Sequence, residues 1–302
     1  MTSGTPPRLS IVIPCYRQAA ELPRCVAGVF GQRTTAPFEV IVVDSGSDVE
    51  VAKVAREAGA RVVGAAERLG PGEARNAGAR EAQGDLLLFL DADCVPEPGW
   101  LAAGAAAIEA GARLAGGPVL DAQPFHPIGV SDNLLQFAEF PRGRPDGPAT
   151  HFPGCNLAIR RADFTALGGF PAVHLPAGED GAFSGAVRAR FPEGLRFARG
   201  MAVRHRGRTA FGDFLRHHER FGYCRAALGL SLEPSHRRLA ARPLMTVPVA
   251  AKRLAFILGR GLAWDGAQLA RTVLLLPVLA PGLIAWAIGF RRGLTTAEGG
   301  PR

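Results

Sequence analysis

The sequence lacks any closely spaced cysteine pair: its five cysteines, at 15, 25, 94, 155 and 224, form no C-x-x-C and leave one over. That pattern speaks against a zinc knuckle and against a disulfide framework, and it suits a reducing cytosol. An opening apolar run is missing too. Met1 to Leu9 is short and polar, and Ile11 to Ile13 is too brief for the apolar region of a signal peptide, so nothing is expected to direct the protein outward. There is no internal repeat and no low-complexity tract. With 47% hydrophobic and 21% charged residues, the 302-residue chain is neither disordered nor fibrous. The net charge of +8 invites a nucleic-acid reading, but the basic residues concentrate after Arg196 beside apolar stretches. An anionic membrane surface is therefore the expected partner, and nucleic acid is not.

The first half alternates apolar strand-like runs with helical patterns, the rhythm of an α/β domain on a mostly parallel sheet flanked by helices. Leu9 to Pro14, Phe38 to Val43, Arg61 to Val63 and Asp85 to Leu90 read as strands. Between and after them Glu21 to Phe30, Asp48 to Ala58, Gly72 to Gln83 and Pro98 to Ala110 read as helices. From Leu120 to Thr150 the pattern dissolves, which predicts a long loop region with one short helix near Leu134 to Phe140. Order returns with a strand at Cys155 to Arg160 and helices at Ala162 to Leu167, Glu179 to Phe191 and Phe211 to Leu228. A catalytic domain over 1–230 and an apolar, basic helical appendage over 231–302 follow from the change of composition past Leu230.

In a parallel α/β sheet the ligand site lies beyond the carboxyl ends of the strands. Four loops there carry polar signals: Pro14-Cys15-Tyr16-Arg17, Asp44-Ser45-Gly46-Ser47, Asp91-Ala92-Asp93 and Gly178-Glu179-Asp180. Asp91 and Asp93 directly follow five apolar residues, so burial of the strand decides where the two hard oxygen ligands emerge. Such ligands suit Mg²⁺ or Mn²⁺, which neutralises a departing diphosphate; D-x-D alone is also a common helix cap or solvated turn. Tyr16 either stacks on a base or packs.

The combination I-V-I-P-C-Y, V-I-V-V-D-S-G-S, G-x-x-x-A-R-N-x-G, L-F-L-D-A-D and G-E-D resembles glycosyltransferase family 2, whose catalytic domain has the GT-A fold. The resemblance covers about Leu9 to Phe211. It implies an inverting transfer from a nucleotide-sugar donor, with Asp44 on the nucleotide base and Arg75 and Asn76 near the donor. It also implies Asp91 on ribose or metal, Asp93 on the metal, and Asp180 as general base with Glu179 next in line. The second loop reads D-S-G-S where many relatives have D-D-G-S, which leaves Ser45 at an acidic position. His205 either completes the metal or diphosphate site or is a surface histidine in a basic cluster. Asn156 either bonds a sugar hydroxyl or is a turn residue, and His217 and His218 are expected to be structural or solvent-facing.

Leu244 to Leu258 carries Lys252 and Arg253 at its middle and reads as an element lying in the plane of a membrane surface. Thr272 to Phe290, nineteen residues without a charge, is just long enough to span a bilayer, though Pro277 and Pro281 interrupt it. The expected acceptor is accordingly membrane-borne or lipid-linked, such as a cell-envelope glycan precursor, met at the cytosolic face. A sugar nucleotidyltransferase, or an inactive membrane-attached sugar-nucleotide-binding protein, is the rival reading. Pro14-Cys15-Tyr16-Arg17 is not the glycine-rich loop that holds a triphosphate, and the retained carboxylates speak against an inactive protein.

Overall fold

The computed structural model describes residues 7–46, 48–172, 175, 177–228 and 240–298. Ser47 of the second loop, Pro176 ahead of the Gly178-Glu179-Asp180 segment and the expected domain boundary at Leu230 lie outside the described residues. The chain divides into two compact units, one of Met1–Leu120, Pro145–Val173 and Glu179–His205, the other of Asp121–Arg144, His174–Gly178 and Arg206–Arg302.

The first unit is the α/β body. Its strands are β1 (Leu9–Cys15), β2 (Phe38–Asp44), β3 (Arg61–Gly64), β4 (Leu86–Leu90), β6 (Leu114–Gly116), β8 (Gly147–Pro148), β9 (Asn156–Arg160) and β10 (Leu195–Phe197), in the order β3-β2-β1-β4-β9-β6-β10-β8. β9 and β8 run against their neighbours and the other strands run together. This is the mostly parallel sheet that the sequence rhythm predicts. A second sheet, in the order β5-β11-β7, joins β5 (Cys94–Pro96), β11 (Val203–His205) and β7 (Val119–Asp121).

The helices of this unit are α1 (Leu22–Phe30), α2 (Val49–Glu57), α3 (Pro71–Glu81), α4 (Trp100–Glu109), α6 (Arg161–Ala166) and α7 (Glu179–Arg190). Local chemistry sets their ends. Asp48 caps α2, its Oδ1 accepting from the Glu50 and Val51 amides, and Pro71 opens α3 where a missing N–H costs nothing. All five residues of β4 are buried, as a strand covered on both faces requires.

The second unit is helical: α5 (Pro127–Phe137), α8 (Phe211–Ala227), α9 (Thr246–Trp264), α10 (Gly266–Leu274) and α11 (Leu276–Glu298). The short helix expected near Leu134 to Phe140 is thus three turns long and starts earlier, at Pro127. His126 caps it through Nδ1 and Pro127 starts it, but Ser131, Asp132 and Asn133 are buried within it and hide its apolar period.

The uncharged run Thr272–Phe290 is not one straight helix either. It crosses the break between α10 and α11, where the chain turns by 86°; no single described helix is long and apolar enough to cross a membrane, and that bent pair meets the test of length and composition only together. One face of α11 is core: Leu279, Leu283, Trp286, Ala287, Phe290 and Leu294 pack with Val130, Leu135 and Phe214. Arg253 is also turned inward, over the Trp286 ring and onto the Leu135 carbonyl, where burial and Arg225 pull its guanidinium down to about 9. Of the expected surface pair, only Lys252 is exposed.

α8 and α11 meet backbone to backbone. A Cβ on Gly289 would lie 1.7 Å from the Glu219 carbonyl oxygen, and one on Gly222 would lie 2.0 Å from that of Trp286. Since neither backbone can yield without separating the helices, Gly289→Val should destabilise the protein by roughly 3 kcal/mol, in the upper part of the overpacking range. Thermal unfolding followed by circular dichroism would show a midpoint several degrees lower; an unchanged midpoint would mean that the two helices do not pack this closely.

Candidate active site

Parallel pairing in register sets the stage. Cys15 of β1 stands opposite Asp44 of β2, and Leu90 of β4 stands opposite Asn156 of β9, so the loops after β1, β2 and β4 open at one end of the sheet. The first two loops are stitched together: the Ser45 amide and Oγ both donate to the Cys15 carbonyl at 2.9 Å. Ser45, at the position often acidic among relatives, is thus a buried structural hydroxyl. Asp44 is also buried, and its Oδ1 accepts from the Gly46 amide at 3.1 Å.

Half-buried Pro14 is the one residue of β1 that is not fully buried, and the Tyr16 ring lies against Gly46 with the Arg68 guanidinium 4.4 Å above it and that of Arg17 at 5.2 Å. Arg17 holds a left-handed backbone, φ 56°, which a residue with a Cβ adopts only under constraint. The exposed pair Arg17 and Arg68 was not singled out by sequence; its signal is two arginines in loops that β1 and β3 deliver to the same edge.

Arg75 is the centre of the site and lies buried between two carboxylates. Its side chain is 3% exposed and its two terminal nitrogens bond different carboxylates, Nη1 to Glu179 Oε1 and Nη2 to Asp91 Oδ1, each at 2.7 Å. The guanidinium packs so closely on Gly154 that a Cβ there would lie 2.6 Å from Cζ. The two carboxylates raise the guanidinium's hold on its proton against the pull of burial. Burial and the neighbouring Asp180 push the Glu179 carboxyl above its ordinary range, while Arg75 draws it back.

Three of the expected site residues are engaged within the body. Arg75 ties Asp91 to Glu179, and Glu179 is enclosed and ion-paired. Asn76 uses its side chain to clamp residue 170, with Nδ2 donating to the Phe170 carbonyl and Oδ1 accepting the Phe170 amide, both at 2.8 Å.

Asn156 is likewise turned inward. It is fully buried; Oδ1 accepts from Trp100 Nε1 at 2.9 Å, and Nδ2 donates to the carbonyls of Met201 and Pro118. Both amide hydrogens are used inside the body, and no part of the side chain reaches solvent.

The two aspartates of D-A-D differ in surroundings. Asp91 gives Oδ1 to Arg75, while its Oδ2 takes no hydrogen bond among the described residues. Asp93 accepts from Gln18 Nε2 through Oδ2 at 3.1 Å, and its Oδ1 is 3.7 Å from His205 Nε2. The antiparallel register of β11 on β5 sets His205 opposite Cys94, next to Asp93. Asp93 is a quarter exposed and His205 largely buried. Asp180, at the start of α7, has Oδ2 on the Gly154 amide at 3.1 Å and Oδ1 on the Gly181 amide at 2.7 Å, so its carboxylate is oriented by backbone on both sides.

Among the described residues no three of His, Cys, Asp and Glu gather as a metal site. A carboxylate and an imidazole 3.7 Å apart nonetheless fit a divalent ion that takes its remaining ligands from phosphate and water, the usual habit of Mg²⁺ at nucleotide sites. The thiols take no part: Cys15, Cys25, Cys94 and Cys155 are buried, and burial pushes Cys15 up to about 12.

The sequence model of glycosyl transferase family 2 matches residues 10–168, just over half of the chain. The chain belongs to this family. Every motif loop before β10 except that of Asp180 falls inside the matched region, and the chain spans less than half the length of the curated relatives it matches. The chain is 36% identical over 126 residues to the glycosyltransferase AglE of Haloferax volcanii, a match that spans 39% of this chain and 41% of that protein.

Two solved structures share the GT-A fold with it. A mannosyltransferase of Pyrobaculum calidifontis in complex with GDP-Man and Mn²⁺ aligns over 98% of this chain and 87% of its own, with a TM-score of 0.54 and 19% identity. GalNAc-T7 with UDP, GalNAc and Mn²⁺ aligns over 74% and 51%, with a TM-score of 0.52 and 18% identity.

Arg75→Met would strand two carboxylates, Glu179 within the body. Removing one partner of a buried pair costs roughly 3–5 kcal/mol, so urea unfolding of the variant should show a loss of that size. A loss below about 1 kcal/mol, the worth of an exposed pair, would show that Arg75 is solvated in solution.

Proposed function

We propose that this glycosyltransferase moves a sugar from a nucleoside diphosphate donor to an acceptor hydroxyl with inversion, using Mn²⁺ or Mg²⁺. The observation that carries the reading is Asp93 at 3.7 Å from His205 beyond the sheet, with Asp91 two residues away. Asp93 and His205 would hold the ion, and Oδ2 of Asp91 is left for the ribose or the metal. When bound, the ion neutralises the charge that grows on the departing diphosphate. Asp44 and Tyr16 form the seat of the nucleotide base, and Arg17 and Arg68 bring positive charge to the same edge.

Asp180 takes the proton of the acceptor hydroxyl as that oxygen attacks the anomeric carbon. The new carbon–oxygen bond forms on the face opposite the diphosphate, which leaves with the electrons of the old one. Its two backbone hydrogen bonds point the carboxylate before the acceptor arrives, which favours the reactive geometry over a freely rotating group. Arg75 and Glu179 act at one remove, as positioning residues for Asp91 and for the start of α7.

The acceptor we infer is membrane-borne or lipid-linked, met at the cytosolic face. Support comes from the second unit, where Leu244, Val247, Leu262, Val273 and Leu274 are all more than half exposed on or beside α9 and α10. Apolar side chains of that kind, with Lys252 exposed between them, suit helices lying in an anionic membrane surface. Co-sedimentation of the full chain with anionic vesicles is the check, and a chain left wholly in the supernatant would remove the lipid-linked acceptor from the reading.

Two substitutions separate donor binding from chemistry. Asp93→Ala should abolish the Mn²⁺-dependent part of nucleotide-sugar binding in a calorimetric titration while the fold stays intact; unchanged affinity would exclude Asp93 as a ligand. Asp180→Asn should keep that binding and lower turnover by about a hundredfold or more, because the amide cannot take the proton. Near-normal turnover would move the base to another residue.

A further inference from the structure

The basic residues that follow β11 are not spread evenly over the surface. Arg216, His217 and Arg220 fall at i, i+1 and i+4 and share one face of α8, with Asp213 one turn before them. In the second unit that face borders a cleft of about 980 Å³, lined by Arg208, Arg216, His217, Arg220 and Tyr223 and closed on the far side by Arg292 of α11. Its acidic lining is Asp213 and Glu219, so four arginines face two carboxylates.

The existing pairs leave positive charge over. Arg216 bonds Asp213 and Arg292 bonds Glu219, both exposed pairs of the kind that exchange partners at little cost. Arg208 reaches fully buried Asp132, which His218 Nε2 already holds at 3.0 Å. Burial opposes ionisation of Asp132, but His218 and Arg208 outweigh it and keep the carboxyl well below its ordinary range. Arg220 pairs with no carboxylate among the described residues.

An independent observation points to a missing acceptor. Both ring nitrogens of His217 are shielded from water and meet no hydrogen-bond partner among the described residues, although one of them must carry a hydrogen. The ring is stacked on Phe221, 18° from parallel, and lines the cleft. Burial, then the charges of Arg208 and His218, hold it down to about 2 against the pull of Asp132, so the ring is neutral. A buried donor with no acceptor is costly, and an oxygen-rich anion removes the cost.

We propose that this cleft is a binding site for a phosphate group, carried by a soluble phosphate ester or by a phospholipid headgroup, with Arg208, Arg216 and Arg220 as its donors. Arginine suits the role because its planar fork matches phosphate oxygens two at a time. None of these residues belongs to the donor motifs, so the site is a second one and does not depend on the assignment of Asp93 or Asp180. An open cleft bounded by two helices, with a histidine at its wall, differs from the extended basic stripe that tracks a nucleic-acid backbone.

The test uses the full chain and the variant R216Q/R220Q. Calorimetric titration with inorganic phosphate and with pyrophosphate covers the soluble source. Flotation with phosphatidylcholine vesicles, with and without a tenth of phosphatidic acid, covers the headgroup. The native chain should bind in at least one arm, and the variant should bind at least about tenfold more weakly there, as the loss of a charge-assisted contact requires.

Thermal unfolding and Mn²⁺-dependent donor binding of the variant should match the native chain, which excludes a folding defect. Phosphate binding without selective flotation identifies the soluble source; selective flotation identifies the headgroup. Native protein that binds in neither arm, or binding that the variant keeps in full, overturns the proposal. Flotation that survives in the variant belongs to the exposed apolar side chains of α9 and α10 and not to this cleft.

Discussion

One guanidinium holds the catalytic unit together at its working end. Arg75 is buried, carries its charge, and satisfies carboxylates 16 and 104 residues away in the chain. A buried cation has to be paired, and each carboxylate it pairs becomes as fixed as the helix that carries it. The carboxyl end of β4, the start of α7 and the Gly154 turn are thereby tied to α3. Asp180, which hangs on the Gly154 amide, takes its place from the same arrangement.

That tie also explains how two aspartates two residues apart come to differ. Asp91 spends one oxygen on Arg75 and is stiffened by it, whereas Asp93 leans on a neutral amide and a histidine. Opposite charge nearby and a neutral hydrogen-bond donor are different electrostatic environments: one carboxylate is tied to a buried cation of the body, while the other, in the role proposed for it, is left to meet a metal ion. The body thus divides a symmetric-looking motif into two roles without any change of residue type.

The second unit rests on a different constraint, the close approach of α8 and α11. Glycines where the helices cross bring the backbones together, and the apolar face of α11 then fills the space beside Phe214 and Val130. The same run of residues is therefore largely core, and the apolar side chains left outside lie on or beside α9 and α10.

Much of this was legible from residue order. Strands β1, β2, β3, β4 and β9 and helices α1, α2, α3, α4, α6, α7 and α8 lie within two residues of their expected ends, because period and capping are local and act within a turn or a strand. The D-A-D pair, the loops after β1 and β2 and the α/β class follow from the same local signals. The short strands β5, β6, β7, β8 and β10 left no period to read, and polar residues buried in α5 hid its face. Where a polar side chain points was decided only by the tertiary structure: Arg75, Asn76, Glu179 and Asn156 sit in motif positions yet turn inward, and His205 meets Asp93 only through the register of β11 on β5. Sequence spacing sets which residues an element presents, but a buried donor or acceptor must find its partner wherever the fold supplies one, and those partners lie up to a hundred residues away.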